Sequence, residues 1–357
     1  MWIKTLHIHH YRNLTQVALT AHPQLNVIFG NNAQGKTNLL EAIFALAWGK
    51  GFHGVAYDAQ IAWGAELASV TVEFVQDKDL TSQIQFLLQK NEGKEWEIDG
   101  KKSRRVSLAR QYFRTLTFTP DLTGLFRGTP GSRRRYFDFC LGNQDSFYLQ
   151  LLRKYEKCLQ QRNALLREHC RDETLSSYSE QLATLACQVD LKRRDYLKTL
   201  MPFFQKRFEQ VGQFEVLLNL TYTGQRENLK PYLESLTQNL TQEYASGFTM
   251  TGPHREDYLL TLAGEPAWEH ASQGQHRVLV IALLLAELDL LKAHTGMKPI
   301  ILLDDLGSEL DSLRLKFLIQ EMLGAGCQCF LTSAREDLFR DFTGKFFSIQ
   351  EGKLSPA

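Results

Sequence analysis

Near the N-terminus, Gly30-Asn31-Asn32-Ala33-Gln34-Gly35-Lys36-Thr37 matches the pattern G-x-x-x-x-G-K-[ST], here called the phosphate loop. In such a loop the backbone N–H groups surround a phosphate chain, the lysine adds a positive charge and the hydroxyl is offered to Mg²⁺. The apolar run 26–29 precedes the loop, and Asn38 opens a predicted helix over 38–48 whose positive end faces the same anion. This strand–loop–helix context predicts a nucleotide site.

A second motif lies far along the chain, where the apolar run 299–303 leads into Asp304-Asp305. An apolar strand that ends in acids beside a phosphate loop can hold Mg²⁺ directly or through water, so Asp304 and Thr37 are the predicted metal residues. Asp304 follows Lys36 by 268 positions, a much larger separation than in compact P-loop kinases. A substantial insertion between the two motifs is therefore expected.

A third motif, Ser272-Gln273-Gly274-Gln275, here called the signature segment, opens the apolar run that begins near Val278. A serine hydroxyl and backbone N–H groups at a helix N-terminus can bind a γ-phosphate. Because the chain's own phosphate loop is already served by Lys36, the expected ligand is a nucleotide held by a second subunit. Residues 308–311, which end in Asp311, are predicted to lie along the same subunit junction.

The chain divides into three predicted parts. Residues 1–125 and 213–357 contain short apolar or alternating runs typical of strands, with a buried helix predicted over 278–291 and a hairpin at Asp99-Gly100. Residues 126–212 instead carry aromatic residues and leucines at helical spacing. A break near 171–173 predicts two antiparallel helices of about 25 residues each. We expect an α/β head, with a mixed β-sheet around the phosphate loop, and an inserted α-helical arm.

Composition excludes several classes of protein. The 357 residues are 43% hydrophobic, and 41 basic residues balance 40 acidic ones, so the overall charge points to no partner. The longest apolar run, 278–286, is far shorter than the roughly 20 residues of a membrane span, and residues 1–5 do not resemble a secretion signal. The six cysteines include no C-x-x-C pair, which predicts reduced thiols. We expect a cytoplasmic protein with no membrane partner.

The order of these motifs is that of the ABC-type ATPases, and local strings resemble the RecF family of DNA-repair proteins, relatives of the SMC-type ATPases. The strings that carry this resemblance extend over almost the whole chain: Tyr11-Arg12-Asn13-Leu14, Asn38-Leu39-Leu40-Glu41-Ala42-Ile43, Gly49-Lys50-Gly51-Phe52, Thr119-Pro120-Asp121-Leu122, Gly128-x-Pro130, Arg133-Arg134-Arg135-x-x-Asp138 and Thr251-Gly252-Pro253-His254-Arg255-Glu256-Asp257. The resemblance implies an ABC-type ATPase head with a short helical arm.

The resemblance also implies a function. Members of this family are ATP-gated dimers that close around two ATP molecules while binding DNA, and they work with RecO and RecR to load RecA at gaps. Carried over by position, Lys36 and Thr37 bind phosphate and metal, Asp304 supports Mg²⁺, and Ser272, with Gly274 and Gln275, contacts the γ-phosphate in trans.

Two further residues have roles that the resemblance implies. Arg12 would reach the nucleotide from the first strand, and Asp305 occupies the position where most ABC ATPases carry a glutamate base. A shorter aspartate would orient water less well, which predicts slow hydrolysis. The chain departs from the ABC pattern in having no glutamine near 118–121 and no switch histidine at 333–335.

One segment is strongly basic. Residues 101–135, here called the basic segment, contain ten cations and one acid, Asp121. Such a cluster would neutralise phosphates and give sequence-independent, salt-sensitive DNA binding. The alternatives are a solvated basic surface or internal ion pairs, and Arg133 to Arg135 could instead anchor the helical arm.

Three other functions are consistent with parts of the sequence. A transporter ATPase subunit is disfavoured by the long separation of the motifs, and a small-molecule kinase has no use for the signature segment. A non-hydrolysing ATP-binding scaffold is favoured by the missing histidine. Dimerisation with ATP distinguishes a clamp from a kinase.

Overall fold

The computed structural model describes residues 1–52, 57–76, 80–170, 173–213, 215–224 and 228–357. The strands, in chain order, are β1 (Trp2–Tyr11), β2 (Leu14–Thr20), β3 (Leu25–Phe29), β4 (Leu67–Val75), β5 (Thr81–Gln89), β6 (Gly93–Ile98), β7 (Lys101–Ser103), β8 (Thr115–Phe118), β9 (Leu218–Tyr222), β10 (Tyr258–Leu262), β11 (Glu265–Pro266), β12 (Ile300–Leu303), β13 (Gln328–Ser333), β14 (Lys345–Gln350) and β15 (Lys353–Pro356). The helices are α1 (Lys36–Trp48), α2 (Val106–Tyr112), α3 (Pro130–Gln144), α4 (Ser146–Arg167), α5 (Glu173–Gly212), α6 (Leu229–Gln238), α7 (Leu240–Ser246), α8 (Ala267–His270), α9 (Gln273–Thr295), α10 (Leu306–Glu309) and α11 (Ser312–Gly324).

The first compact unit comprises Met1–Thr123 and Leu291–Ala357 and contains two six-stranded sheets. One sheet is antiparallel, in the order β2-β1-β4-β5-β6-β7. The other has the order β15-β14-β3-β13-β12-β8 and is parallel apart from β15. Helix α1 contacts strands of both sheets, and β3, β12 and β13 are buried along their whole length, as parallel strands covered on both faces require.

This parallel sheet positions the sequence motifs. Strand β3 leads into the phosphate loop, β12 leads into Asp304-Asp305, and β13, which lies between them, ends at Ser333. The carboxyl ends of parallel strands meet at one edge, where open α/β sheets bind ligands. Two motifs almost 270 positions apart are brought together in this way.

The second compact unit, Gly124–Leu290, is mainly helical. Helices α4 and α5 pack as an antiparallel pair. Two bonds show this direction: Asp145, at the start of α4, bonds Lys192 far along α5, whereas Cys158, further along α4, bonds Tyr178 near the start of α5. The antiparallel sheet β11-β10-β9 and the buried face of α9 complete its core. The aromatic and leucine side chains that showed helical spacing in the sequence form this core.

Most of the predicted elements are confirmed. Asp99 and Gly100 have the positive φ angles, 47° and 80°, of a tight hairpin turn between β6 and β7. The helical break is confirmed by the end of α4 and the start of α5, although residues 171–172 lie outside the described part. The length predicted for the second helix is wrong, since α5 runs for 40 residues. It continues through Pro202 because Leu200, Phe204 and Phe208 prolong its apolar stripe.

The division into parts at residues 125 and 212 stays a prediction. The two compact units described above have their bounds near residues 124 and 290, because β9, β10 and most of α9 share a hydrophobic cluster with the arm helices. The six cysteines are free thiols. Among the described residues, no helix combines the length and the apolar character needed to span a bilayer.

Candidate functional site

The phosphate loop requires glycine at both ends. A Cβ on Gly30 would lie 2.5 Å from the carbonyl oxygen of Ile349. Gly35 has φ of 109°, and its Cβ would lie 2.8 Å from Oδ1 of Asn13, so only glycine allows the backbone this path. Gly35 also precedes the first turn of α1, which has no side-chain cap, and this leaves the N–H groups of the helix start for an anion.

The middle of the loop is held by hydrogen bonds between Gln34 and the β14–β15 turn. The side chain and carbonyl oxygens of Gln34 accept hydrogen bonds from the N–H groups of Glu351 (2.7 Å) and Gly352 (3.1 Å) in the β14–β15 turn. Asn31, Asn32 and Ala33 are exposed. The loop is therefore anchored at its base, whereas its tip is open to a ligand.

Lys36 is buried at the start of α1, with an exposed fraction of 7%. Its ammonium donates to the carbonyl oxygens of Gly30 (2.6 Å) and Asn31 (2.9 Å), so it holds the loop in a closed curve. Burial lowers the pKa of Lys36, and the carboxylates of Asp305 and Asp304 counteract that effect. The result is a positive charge placed inside the loop, where phosphate oxygens would bind.

Thr37 and Asp304 meet directly. The Thr37 hydroxyl donates to the Asp304 carboxylate at 2.9 and 3.1 Å, and the Thr332 hydroxyl donates to Oδ1 of the same carboxylate at 2.6 Å. Burial raises the pKa of Asp304, the hydrogen bonds from Thr332 and Thr37 lower it, and the neighbouring Asp305 raises it further. Hydroxyl and carboxylate oxygens are the ligands that Mg²⁺ prefers, so this pair fits the predicted ion.

Asp305 adopts a left-handed backbone conformation, with φ of 45° and ψ of 42°. The loop residues and both acids line one cavity of about 290 Å³; its lining residues are Asn32, Ala33, Gly35, Lys36, Thr37, Asn38, Asp304 and Asp305. The structure thus brings together the predicted phosphate, metal and base residues, whose individual roles stay predictions.

Arg12 and Asn38 lie near the loop but are engaged with other side chains. Arg12 forms a two-pronged ion pair with Glu41 of α1, and Glu41 also accepts a hydrogen bond from the N–H of Phe52 at 3.1 Å. The side chain of Asn38 donates to Asn13 at 2.8 Å. A contact between Arg12 and the nucleotide would need Arg12 to leave Glu41, and this role stays a prediction.

The signature segment lies in the second compact unit, where it begins α9. Its ends cap each other: the Gln275 N–H donates to Ser272 Oγ at 3.2 Å, and the Ser272 N–H donates to the Gln275 side chain at 2.8 Å. Ser272 is exposed. A Cβ on Gly274 would meet only Ser272 Oγ, at 3.9 Å, so nothing else within the described chain requires glycine at this position.

Asp311 acts as a helix cap. Its carboxylate accepts from the N–H of Arg314 at 3.0 Å and pairs with the Arg314 guanidinium at 2.9 Å, at the start of α11. The side chains of the neighbouring predicted junction residues, 308 and 309, lie outside the described part. Alignment of Asp311 along a subunit junction stays a prediction.

The cations of the basic segment have different environments. Lys101, Lys102, Arg104 and Arg105 are exposed on β7 and the turn that follows it. Arg110 is buried and lies 4.1 Å from the centre of the Trp48 ring. The cluster in the sequence is therefore only partly a surface cluster.

In the second unit, Arg133 and Arg134 serve the structure of the arm. Arg133 forms two hydrogen bonds to the Asp257 carboxylate (2.8 and 2.7 Å), and Arg134 donates to the carbonyl oxygen of Glu256 at 2.6 Å. These contacts favour the anchoring alternative for both residues and bring the string 251–257 against α3.

Sequence reasoning missed Glu41 and Thr332. Glu41 is the one acid in the otherwise apolar stretch 39–48 of α1, and a buried acid in such a stretch signals a paired cation. Thr332 ends the strand beside β12, so its hydroxyl could have been placed near Asp304 from the order of the parallel strands.

Comparison with known proteins identifies related chains. A family model described as the RecF/RecN/SMC N terminal domain matches residues 2–353. The DNA replication and repair protein RecF of Geotalea daltonii is 30% identical over 365 residues, covering 99% of this chain and 100% of the relative. RecF of Myxococcus xanthus is 34% identical over 359 residues, covering 95% and 92%.

Solved structures agree with these relatives. The recombination mediator protein RecF with ATPrS in the RecFOR pathway has a TM-score of 0.90 at 30% identity, covering 99% of this chain and 98% of that one. The ATP form has the same TM-score at 29% identity, covering 100% and 97%. An Smc head bound to the C-winged helix domain of ScpA, at 14% identity and a TM-score of 0.58, shares the fold. The predicted ABC-type ATPase head is thereby confirmed.

Proposed function

The chain belongs to the RecF family within the RecF/RecN/SMC group of ATPases, and we propose that it is an ATP-gated DNA-binding protein of recombinational repair and replication restart. Two heads close around two ATP molecules, and the closed dimer binds DNA at a gap or a duplex–single-strand junction. Slow, DNA-dependent hydrolysis then opens the dimer and releases the DNA.

The residues that line the cavity have different proposed roles. The phosphate loop and Lys36 bind the phosphate chain, and Thr37 with Asp304 would hold Mg²⁺, whose charge would offset the negative charge that develops on the phosphates. Asp305 orients the attacking water and accepts its proton. Its side chain is one methylene shorter than a glutamate, and we attribute slow turnover to that difference.

The signature segment is the observation that carries the proposal of a dimer. Ser272 is exposed at the start of a 23-residue helix, and its oxygen accepts the Gln275 N–H, so its own hydrogen can be donated to a phosphate oxygen. Glycine in a helix costs about 1 kcal/mol relative to alanine, yet the described chain gives Gly274 no steric reason to be glycine. Close approach of a partner's nucleotide supplies that reason.

The proposed partners follow from the family. A relative of known structure is a recombination mediator in the RecFOR pathway, which supports RecR and RecO as partners and loading of RecA as the outcome. The exposed cations 101, 102, 104 and 105 supply a sequence-independent DNA contact. We place the protein in the cytoplasm, where it has access to the chromosome.

Sedimentation of the purified full chain with Mg²⁺ and either ATP, ADP or ATPγS tests the proposal. We expect a monomer without nucleotide and a dimer with ATPγS. Asp305→Asn should form a dimer with ATP that persists, because binding is retained while hydrolysis is slowed at least about tenfold. Fluorescence anisotropy with gapped, duplex and single-stranded DNA across a salt series then measures DNA binding with and without ATP.

A monomer at saturating ATPγS would contradict the clamp. One alternative, the non-hydrolysing scaffold, retains support because the described turn after β13 carries Ser333, Ala334 and Arg335 and no histidine. Ser333 bonds the backbone of Arg335, and Arg335 pairs with Asp337. A non-hydrolysing scaffold would dimerise with ATP but release no phosphate with any DNA. Measured phosphate release therefore separates the two functions.

A further inference from the structure

Thr332, at the end of β13, links the two acids of the site through one hydroxyl group. It is fully buried, and its Oγ1 donates to Asp304 Oδ1 at 2.6 Å while accepting the backbone N–H of Asp305 at 3.0 Å. The hydroxyl therefore uses its hydrogen on one acid and a lone pair on the next. None of the sequence motifs includes this residue.

On the Asp304 side, the two carboxylate oxygens have different partners. Oδ1 accepts from both Thr332 and Thr37, whereas Oδ2 accepts from Thr37. Thr37 would hold Mg²⁺ together with Asp304, whereas Thr332 lies on a buried strand and can keep its bond to Oδ1. Thr332 is thus placed to keep the Asp304 carboxylate in a fixed orientation.

On the Asp305 side, the hydroxyl holds an unfavourable backbone conformation. A left-handed conformation costs a residue other than glycine about 1 kcal/mol or more, so it persists only where neighbouring groups hold it. The φ of 45° and ψ of 42° of Asp305 allow this residue to line the phosphate-loop cavity, and its N–H is bonded to Thr332.

From these contacts we infer that Thr332 is a positioning residue for ATP hydrolysis, holding the metal-binding Asp304 and the water-orienting Asp305 in register. The inference rests on the proposed ATPase function. Thr332 is fully buried and does not line the phosphate-loop cavity. Its replacement should therefore change turnover and the gain in ATP affinity that Mg²⁺ provides, whereas ATP binding by the phosphate loop should be retained.

Two pairs of variants test the hydroxyl. Thr332→Val has nearly the shape of threonine and suits a strand, and Thr332→Ser and Thr332→Ala differ from each other by the hydroxyl alone. Thr117→Val is the matched control: Thr117 lies on β8, the other neighbour of β12, and its buried hydroxyl has no hydrogen-bond partner among the described residues. Folding is checked for each variant by circular dichroism and melting temperature.

Three quantities are measured: kcat, the ATP dissociation constant with and without Mg²⁺, and amide exchange of Asp305. Losing a hydrogen bond behind a metal ligand typically costs 10- to 100-fold, so we expect kcat to fall by about that factor in Thr332→Val and Thr332→Ala. Affinity for ATP without Mg²⁺ should change less than about twofold, and Asp305 should exchange faster. The amide of Asp304, bonded to the Phe118 carbonyl, serves as internal reference.

Thr332→Ser and Thr117→Val should behave as the wild type. Unchanged kcat and exchange in Thr332→Val overturn the inference, as does an equal loss of kcat in Thr332→Ser and Thr332→Ala, which would show that the hydroxyl does not sustain turnover. If Thr332→Val does not fold, the serine and alanine variants decide. If the wild type hydrolyses no ATP with any DNA, the proposed function fails, while exchange of Asp305 and the Mg²⁺ dependence of ATP affinity still test Thr332.

Discussion

The hydroxyl of Thr37 donates to both carboxylate oxygens of Asp304, at 2.9 and 3.1 Å, across a sequence separation of 267 positions. Thr37 lies in the first turn of α1, whereas Asp304 follows β12. The bond closes the site between the helix that begins at the phosphate loop and the neighbouring acidic strand. The hydroxyl and carboxylate oxygens that this bond joins are the groups that would hold Mg²⁺.

Replacing Asp304 with asparagine should remove the gain in ATP affinity that Mg²⁺ provides. Asn still accepts a hydrogen bond from Thr37, so the fold is retained, but the charge that attracts the ion is lost. We expect Asp304→Asn to bind ATP without Mg²⁺ as the wild type does, and to gain less than about twofold in affinity when Mg²⁺ is added, with turnover lowered at least about 100-fold. Calorimetric titration with and without Mg²⁺ measures both affinities.

The same site predicts how the gain in ATP affinity from Mg²⁺ changes with pH. Because burial raises the pKa of Asp304, the carboxylate becomes protonated at a higher pH than an exposed aspartate. The Mg²⁺-dependent gain in ATP affinity should therefore weaken as the pH is lowered, before exposed carboxylates titrate. A gain that does not change with pH in the wild type would contradict the assignment of Asp304.

Lys36→Met should strongly weaken ATP binding. Methionine fills a similar volume but lacks the ammonium that bonds the Gly30 and Asn31 carbonyls and that we assign to the phosphates. Loss of a charged hydrogen-bond donor costs about 1.5–3 kcal/mol, which corresponds to a loss of affinity of roughly 10- to 100-fold. Lys353→Met, an exposed change in the same unit, is the control. Equal ATP affinity in the two variants would exclude this role for Lys36.

The site was predictable where its geometry is local. The phosphate loop is one continuous string, and its link to Asp304 follows from the rule that parallel strands present their carboxyl ends at one edge. Thr332 was missed because a single hydroxyl at a strand end carries no motif. Its role depends on β13 lying between β3 and β12, which only the sheet order shows.

The basic segment shows what the sequence did not predict, which is the partner of each cation in the folded chain. Ten neighbouring cations suggested one surface, but neighbours in sequence have different partners in space. Arg133 is paired by Asp257, which lies 124 positions away, and Arg110 lies against a tryptophan. Likewise, α5 exceeds its predicted length because the packing of its apolar stripe outweighs the proline at 202.

Gly274→Ala should separate folding from dimerisation. The added methyl group meets only Ser272 Oγ, at 3.9 Å, so the monomer should melt at the same temperature or higher. ATP affinity should be unchanged, whereas the ATP-dependent dimer should weaken at least about tenfold, because a methyl group then stands where the partner's nucleotide approaches. Sedimentation with ATPγS measures the dimer.

Gly324→Ala is the matched control for this variant, since Gly324 ends α11 with open space around its Cβ position. Ser272→Arg should also prevent the dimer while sparing ATP binding. If Gly274→Ala and Ser272→Arg both dimerise as strongly as the wild type, the proposed contact of the signature segment with the partner's nucleotide is wrong.

The exposed cations should determine the salt dependence of DNA binding. Alanine at Lys101, Lys102, Arg104 and Arg105 should weaken binding to all sequences alike. The slope of log affinity against log salt should fall by roughly 0.9 for each DNA phosphate that the variant no longer neutralises. The control carries alanine at four exposed lysines elsewhere in the same unit, Lys4, Lys90, Lys298 and Lys353. Equal slopes in the two variants would move the DNA surface elsewhere.

Arg133→Ala should behave differently from the exposed cations. It breaks the largely buried pair with Asp257, so we expect a loss of stability on the order of 3 kcal/mol. At a temperature where the variant is folded, its salt slope should equal that of the wild type. A reduced slope would instead make Arg133 a phosphate contact.

Glu287 makes the stability of the helical unit depend on pH. It is buried in α9, where it accepts a hydrogen bond from Tyr196 of α5 and contacts Cys140 of α3. Burial raises the pKa of Glu287 to about 7 from an ordinary value of 4.5, although the hydrogen bonds from Tyr196 and Cys140 oppose the rise. The folded state therefore holds a proton on Glu287 that the unfolded chain releases above pH 4.5.

The sign of the effect follows from that proton. Between pH 4.5 and about 7 the folded state binds more protons than the unfolded one, so the contribution of Glu287 to stability falls as the pH rises and is lost above about 7. Glu287→Gln keeps an acceptor for Tyr196 and cannot ionise. At pH 8 it should be more stable than the wild type by about 3 kcal/mol at most, which is a rise in melting temperature on the order of 5 °C. At pH 4.5 the two proteins should melt alike.

Glu180→Gln, an exposed change on α5, is the control, and its melting temperature should follow that of the wild type at every pH. If the melting curve of Glu287→Gln against pH runs parallel to that of the wild type from pH 5 to 8, Glu287 is not the titrating group.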